Sequence, residues 1–299
     1  MTPTRTELFA ARLPLRARRR AVRASWRLAV LRGRAGTLGI AEALARTLRV
    51  PAREARRLDR EAVFADRMTS LEWLAILSRS REALVADAAH VTILERGMLE
   101  RVAAGARPVI LAPLHMGSFA LPFARLVHDV FPGRRMLILR AREDREIETR
   151  VMRRISEIGT DMRFLNVRDK QDYIDAVRFA RAGAVIVSFV DLPASYGGPV
   201  DTTLFGRPAR LAMGLDALAR LTEATVVPLA VRSHLDGDVV APGRPFEVAE
   251  SGPEAKARVT DLVRRHIEAS VLAAPEQWFM WQRLGEFLAA PEAAQERAA

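Results

Sequence analysis

The sequence contains no cysteine, and this absence removes several classes of chemistry at once. Disulfide bonds, thiolate nucleophiles and cysteine-ligated zinc or iron–sulfur centres are excluded. The five histidines are scattered, without the His-x-x-x-His or Glu-x-x-His spacing that metal sites on helices use. We therefore expect neither a metal ion nor another cofactor.

Long apolar runs are also missing. The longest one covers residues 182–190, which is the length of a buried strand. A membrane-spanning helix needs about 20 mostly apolar residues. In the first 35 residues no stretch of even ten lacks an arginine, so we expect neither a signal peptide nor a transmembrane helix.

The positive charge of the chain, +11 in total, lies entirely in its N-terminal part. Residues 1–60 carry 16 arginines and 4 acidic residues, a net charge of +12, and the remaining 239 residues sum to −1. A helical pattern over residues 13–31 places four of these arginines on one face, namely Arg16, Arg20, Arg23 and Arg27. An apolar stripe beside that face consists of Leu15, Val22, Trp26 and Ala29.

Three interpretations fit this basic amphipathic helix. A basic helix with one tryptophan is typical of segments that bind an anionic membrane surface, and we favour this role for residues 12–34. A solvated arginine face on a helix that packs against the domain comes second. Nucleic-acid binding comes third and is not expected, because the segment lacks interleaved aromatic residues and no known nucleic-acid-binding motif follows it.

The rest of the chain alternates between helical and strand patterns. After helices at 41–48, 52–77 and 91–104, the predicted strands are 108–113, 135–140, 162–167, 184–190 and 225–232. The predicted helices among and after them are 117–130, 144–158, 170–181, 211–222 and 254–272, with a loop at 199–208 and a hairpin turn at 236–238. This order predicts an α/β fold with a mostly parallel central sheet and helices on both faces, preceded by an N-terminal helical region. We divide the chain into a basic arm (1–35), an α/β domain (36–290, with a helical lead-in over 36–105) and a frayed tail (291–299).

His115 is the first candidate for chemistry. It follows the predicted strand 108–113, and ligands of open parallel sheets bind just beyond the carboxyl ends of the strands. A neutral imidazole at that position can act as a general base. Gly117 permits close approach of the backbone, and Ser118 suits the N-cap of the following helix. A structural histidine that holds the loop is the alternative, and position alone does not separate the two.

Several short motifs follow one another in a fixed order from about residue 90 to Phe287. They are His115-Met-Gly-Ser-Phe-Ala120, Leu139-Arg140, Arg154 with Gly159, Asp191 with Gly197-Gly198-Pro199-Val200, Leu204-Phe205-Gly206-Arg207-Pro208-Ala209, Val226–Arg232, and Pro275-Glu276-Gln277-Trp278 with Trp281. In order and spacing they resemble the bacterial lipid A biosynthesis acyltransferases (lauroyl and myristoyl transferases), within the wider lysophospholipid acyltransferase or glycerolipid-acyltransferase-like fold.

The resemblance implies transfer of a fatty acyl group from an acyl carrier protein or acyl-CoA thioester to a hydroxyl or amine of a lipid or glycolipid. It implies a peripheral enzyme at the cytoplasmic face of the bacterial inner membrane, with His115 as the base. Arg140 and Arg232, both at strand ends, are candidates for binding a substrate phosphate, with ordinary solvated arginines as the alternative. The other substrate-binding candidates are Gly117, Ser118, Gly206 and Arg207.

One departure from the family pattern concerns the chemistry directly. The family carries an acidic residue five positions after the histidine, and here that residue is Ala120. The missing carboxylate could come from Asp191, which also follows a predicted strand, or as a second choice from Glu143 or Asp144. Alternatively, the histidine works slowly without support, or the fold has lost catalysis and acts as a lipid-binding or partner module.

Three of the four tryptophans are expected to have a structural role. We expect Trp73, Trp278 and Trp281 to be packing residues rather than ligand contacts.

Overall fold

The structure is a computed structural model that describes residues 3–140, 146–157, 162–166 and 170–288. Its helices are α1 (Arg5–Arg12), α2 (Leu15–Leu31), α3 (Ala41–Leu48), α4 (Ala52–Ser78), α5 (Arg81–Ala88), α6 (Arg96–Ala104), α7 (Ala120–Val130), α8 (Glu146–Ser156), α9 (Lys170–Arg181), α10 (Leu215–Thr222), α11 (Pro253–Ala273) and α12 (Leu284–Phe287). The strands are β1 (Val91–Ile93), β2 (Val109–Pro113), β3 (Met136–Arg140), β4 (Met162–Asn166), β5 (Val185–Val187), β6 (Pro199–Leu204), β7 (Arg207–Ala212), β8 (Thr225–His234) and β9 (Gly237–Pro242).

The central sheet has seven strands in the order β1-β9-β8-β2-β5-β3-β4 across the described residues. All neighbours run parallel except β8 and β9, which form an antiparallel hairpin. The predicted α/β fold with a mostly parallel sheet is therefore confirmed, and so is the helical region in front of it.

The two faces of the sheet bury different clusters of apolar side chains. On central strand β2, Ile110 and Ala112 point to one cluster, whereas Val109 and Leu111 point to the other. Every residue of β2 is buried, as expected for a parallel strand that is covered on both faces. The core thus packs against both faces of the sheet, and the carboxyl edge of the sheet remains available for a functional site.

Several elements differ from the sequence prediction: α5 was not predicted, α7 begins at Ala120 rather than at residue 117, and the following three differences involve strands. Residues 91–93 form strand β1 instead of the start of a helix, because they pair in parallel with β9, a contact that local sequence does not reveal. Residues 199–208 are not a loop: they belong to the hairpin of β6 and β7. Its two turn residues, Phe205 and Gly206, both have positive φ (52° and 73°), as a two-residue hairpin turn requires. Because β7 continues to Ala212, α10 begins at Leu215 rather than at residue 211.

Helices α1 and α2 pack along α4, and buried charges connect α2 to the domain. Arg18 and Arg19 are only 1% and 0% exposed. Arg18 pairs with Glu72 of α4 at 2.5 Å and with Asp87 of α5 at 2.6 Å. Arg19 pairs with the same Glu72 at 3.0 Å and with Asp238 of β9 at 2.8 Å. This group of side chains, called the buried ion network below, fixes the position of α2.

The predicted membrane-facing stripe of α2 is partly turned inward. Trp26 is 7% exposed, and its ring lies 5.7 Å from that of Phe64 on α4. The guanidinium of Arg23 covers both rings at about 4.5 Å. Arg20 pairs with Asp236 at 2.8 Å. The assignment of Trp26 to a membrane contact is therefore wrong, because the side chain is buried against α4.

Within the described ranges, no helix is both long enough and apolar enough to cross a bilayer. The predicted tail, residues 291–299, lies outside the described residues.

Candidate active site

His115 and Asp191 meet because they follow two neighbouring parallel strands. Strands β2 and β5 are paired in register, with Leu111 opposite Val187. Beyond β5, the N–H of Val190 still donates to the carbonyl of Pro113, the last residue of β2. The two segments therefore leave the sheet side by side, at the carboxyl edge where open α/β sheets place their ligands.

The Asp191 carboxylate binds both the backbone and the ring of His115. One oxygen accepts the backbone N–H of His115 at 2.8 Å, and the other lies 2.8 Å from the ring Nδ1. Asp191 is completely buried, whereas the His115 side chain is 26% exposed. Since a carboxylate can only accept, the Nδ1 atom carries the proton and the Nε2 lone pair is free for chemistry.

A third donor reaches Asp191 from the C-terminal part of the chain. The indole N–H of Trp278 donates to Asp191 Oδ2 at 2.9 Å. The backbone on either side of Trp278 also forms hydrogen bonds with the turn that contains His115. The N–H of Phe279 donates to the His115 carbonyl at 2.9 Å, and the N–H of Gly117 donates to the Gln277 carbonyl at 3.2 Å. The segment around Trp278 is thus part of the site.

The turn after His115 requires a glycine. Gly117 has φ +64°, and a Cβ on it would lie 2.5 Å from the carbonyl oxygen of Val231 in β8. The next residue, Ser118, accepts no helix N–H bond, because α7 begins only at Ala120 and has no side-chain cap. Instead, its N–H donates to the Ser233 hydroxyl at 2.9 Å and its own hydroxyl lies 3.0 Å from that of Thr69 on α4. The predicted N-cap role of Ser118 is therefore wrong.

A cavity of about 540 Å³ opens beside the His115 ring. The imidazole stacks on Phe189, with ring centroids 4.2 Å apart. The wall is mainly apolar and includes Leu38, Ile40, Trp73, Phe119, Leu139 and Trp281. The packing role predicted for Trp73, Trp278 and Trp281 was therefore incomplete, because all three also line this cavity.

Polar side chains occupy a smaller part of the wall. They include Asp66 and Ser70 of α4 and Glu276. Partial desolvation raises the pKa of Asp66, and the neighbouring Arg67 opposes that shift. Within the described residues, no three carboxylate or imidazole groups converge in the way that metal ligands do.

The structure does not bring all the predicted site residues together. Arg140 ends β3 at the same edge of the sheet, but its side chain lies outside the described residues, as do Glu143, Asp144 and Gly159. Arg232 lies in β8 and is not part of the cavity wall. Its Nε is buried and has no hydrogen-bond partner among the described residues.

The predicted contacts of Gly206 and Arg207 with substrate also receive no direct support. Gly206 forms the β6–β7 turn and Arg207 begins β7, and neither lines the cavity. The adjacent Phe205 contacts a residue of the cavity wall, because its ring stacks on that of Trp281 with centroids 5.9 Å apart.

Ala120, at the position of the family's acidic residue, is the first residue of α7 and is 3% exposed. It belongs to an apolar cluster shared with α4, α5 and α8. Asp191 therefore contacts the imidazole from the segment that follows β5. The position on α7 holds an alanine that packs among apolar side chains.

A family model described as bacterial lipid A biosynthesis acyltransferase covers residues 41–284, a range that contains His115, Asp191 and Trp278. No curated protein matches the chain.

Proposed function

Because the chain belongs to the bacterial lipid A biosynthesis acyltransferase family, we propose that it transfers a fatty acyl group from a thioester to a lipid or glycolipid. The donor is an acyl carrier protein or acyl-CoA, and the acceptor supplies a hydroxyl or an amine. The observation that carries this proposal is the pair of His115 and a buried Asp191, which faces an apolar cavity.

The tautomer of His115 determines how the proposed acyl transfer proceeds. With Nδ1–H donating to Asp191, Nε2 of His115 accepts the proton of the acceptor hydroxyl as its oxygen attacks the thioester carbonyl. The C–S bond then breaks, and the imidazolium returns the proton to the departing thiolate. Asp191 stabilises the transient imidazolium, as the aspartate of a catalytic triad does.

The cavity supplies a place for the acyl chain. Its aromatic and aliphatic wall removes apolar surface from water, which contributes about 0.8 kcal/mol per buried CH₂ group. The stacked Phe189 places this apolar surface directly beside the base. In the proposed complex the acyl chain occupies this cavity and its thioester end lies at the His115 ring.

The proposed place of action is the cytoplasmic face of the inner membrane, reached through the N-terminal helices. The side chains that support this are not those of the predicted stripe. On α1 and α2, four large apolar side chains are exposed, and they are Leu8 (39%), Phe9 (68%), Leu28 (46%) and Leu31 (84%). Arg27, Arg32 and Arg34 beside them are exposed and form no ion pair with a described carboxylate. Exposed apolar side chains together with unpaired arginines suit an anionic bilayer.

The proposal is tested by an acyl-transfer assay with purified protein, an acyl-loaded carrier protein or acyl-CoA, and a lipid acceptor extract. We expect His115→Ala to abolish transfer and Asp191→Asn to lower kcat by up to about 10⁴-fold, because the imidazole loses its orienting carboxylate. His128→Ala is the matched control, since His128 is an exposed histidine on α7 outside the cavity wall.

Equal transfer by the wild type and His115→Ala would contradict the proposal. If neither protein transfers an acyl group, the fold serves as the lipid-binding or partner module that the alanine at position 120 also permits. Retained lipid binding without turnover would identify that outcome.

A further inference from the structure

Asp191 is a buried carboxylate that depends on hydrogen bonds. It is 0% exposed, and no described lysine or arginine forms an ion pair with it. Ionised groups that lose water need replacement partners, and N–H donors supply them. Among the described residues, its donors are the His115 backbone, the His115 ring and the Trp278 indole.

Trp278 is the one of these three donors that does not belong to His115. The backbone N–H of His115 and the indole share Asp191 Oδ2, and the imidazole takes Oδ1. Two donors on one oxygen fix the plane of the carboxylate, and that plane determines the direction in which Oδ1 faces Nδ1. Without the indole N–H, a single backbone bond would hold Oδ2.

The indole is itself held rigidly. Trp278 is 2% exposed, and its ring lies edge-on to that of Trp281 with centroids 5.0 Å apart. The ring of Phe287 lies 5.9 Å away on another side. The backbone of Trp278 also forms a bridge with Met116, next to the histidine. The direction of its N–H is therefore set by packing on several sides.

We propose that Trp278 is a positioning residue of this active site, whose indole N–H orients Asp191 so that the carboxylate holds the His115 ring. This inference rests on the proposed function for its catalytic consequence. The hydrogen-bonded geometry itself can be tested without any substrate.

The sharpest variant removes the N–H and keeps the ring. Benzothienylalanine at position 278 replaces the indole by benzothiophene, which has nearly the same shape and no N–H. The readout is the Nδ1 proton of His115 in the proton NMR spectrum, far downfield of the amides and assigned by its absence in His115→Gln. We expect this resonance to broaden or disappear in the isosteric variant, because the carboxylate is no longer fixed.

Trp281→Phe is the matched control for the resonance. Trp281 lies in the same aromatic cluster, is 3% exposed and also donates its indole N–H, but to the carbonyl of Pro275 at 2.6 Å. Its loss should leave the His115 resonance in place. Equal loss of the resonance in both variants would overturn the inference, since the aromatic packing and not the N–H on Asp191 would then be responsible.

Kinetics give the second readout. A hydrogen bond to a charged group corresponds to about a tenfold to hundredfold effect, so the isosteric variant should lose that much in kcat with KM unchanged. The loss should be smaller than that of Asp191→Asn. Trp278→Phe, which is simpler to make, should lose at least as much, and thermal unfolding verifies that each variant is folded.

The outcomes separate this inference from the proposed function. An active wild type with an unaffected isosteric variant would overturn the role of Trp278 and leave the acyltransferase proposal standing. If the wild type transfers no acyl group from any donor, but the resonance depends on the indole N–H, the function fails while the positioning of Asp191 by Trp278 stands.

Discussion

Gly117 shows how closely a single residue determines the site. Its positive φ is unfavourable for any residue with a Cβ, and that Cβ would also collide with the backbone of β8. We expect Gly117→Ala to lower the free energy of unfolding by more than about 2 kcal/mol, because backbone strain and steric overlap act together. Chemical denaturation measures this change.

Gly39→Ala is the control for that measurement. Gly39 also has a positive φ (+74°), but nothing lies within 4 Å of the position that a Cβ would take there. Only backbone strain remains, and we expect a loss of about 1 kcal/mol. Equal losses at both positions would show that the turn after His115 can shift away from β8 without cost.

The site residues differ in how well their place in the site could be predicted from the sequence. His115 and Asp191 each follow a strand, and parallel strands end at one edge, so their proximity could be predicted. Trp278 lies 87 residues from Asp191 and follows no strand, so its hydrogen bond is visible only in the folded chain. The same holds for the contact between Ser118 and Thr69, which replaces the helix cap that Ser118 suggests by its type.

Among the elements, helix α2 is attached to the domain by charge rather than by apolar packing alone. Burial by itself would raise the pKa of Glu72, but Arg19 and Arg18 outweigh that effect and lower it. Glu72 is therefore ionised at neutral pH and compensates two buried arginines. Removing one partner of a buried ion pair leaves the other charge uncompensated, which is strongly destabilising.

We expect Glu72→Gln to lower the free energy of unfolding by about 3–5 kcal/mol. Denaturation measures the loss, and limited proteolysis should show earlier cleavage between α1 and α2. The control is Glu54→Gln on the same helix, where the Glu54–Arg57 pair is exposed and screened by water, so its loss should change the free energy of unfolding little. Similar losses in the two variants would mean that the buried ion network does not attach α2.

Helix α5 was not predicted, and neither were several strands, which share a physical cause. Strand β1 and the β6–β7 hairpin are short and are defined by pairing with distant or turn-linked partners. Helices such as α4 and α11 carry their apolar periodicity within the element, so both were predicted to within one residue of each end. Long-range pairing leaves a weaker local trace than a helical stripe.

At the scale of the whole molecule, the N-terminal helices connect the charged end of the chain to the cavity. After α2 the chain crosses α4, where the N–H of Leu38 donates to Asp59 at 2.8 Å. Leu38 and Ile40 then become part of the cavity wall. Leu31, at the exposed end of α2, is thus separated from the cavity wall by only a few residues of the chain.

This arrangement predicts binding to anionic vesicles through exposed apolar side chains. We expect the double substitution Phe9→Ser and Leu31→Ser to weaken binding to phosphatidylglycerol-containing vesicles by at least tenfold. Two large apolar side chains that insert contribute several kcal/mol when fully buried, and partial insertion still exceeds about 1.4 kcal/mol. Co-sedimentation at increasing salt separates the apolar from the electrostatic contribution to the binding free energy, because salt screens only the electrostatic one.

Leu272→Ser provides the control, since Leu272 is 59% exposed on α11 and belongs to a part of the chain without excess positive charge. It should bind vesicles like the wild type. Equal binding of the wild type to phosphatidylcholine vesicles would contradict the electrostatic contribution. If the double variant also binds like the wild type, the N-terminal helices do not form the membrane contact. The exposed arginines would then have another acidic partner, and a carrier protein that binds the double variant in the same assay would identify it.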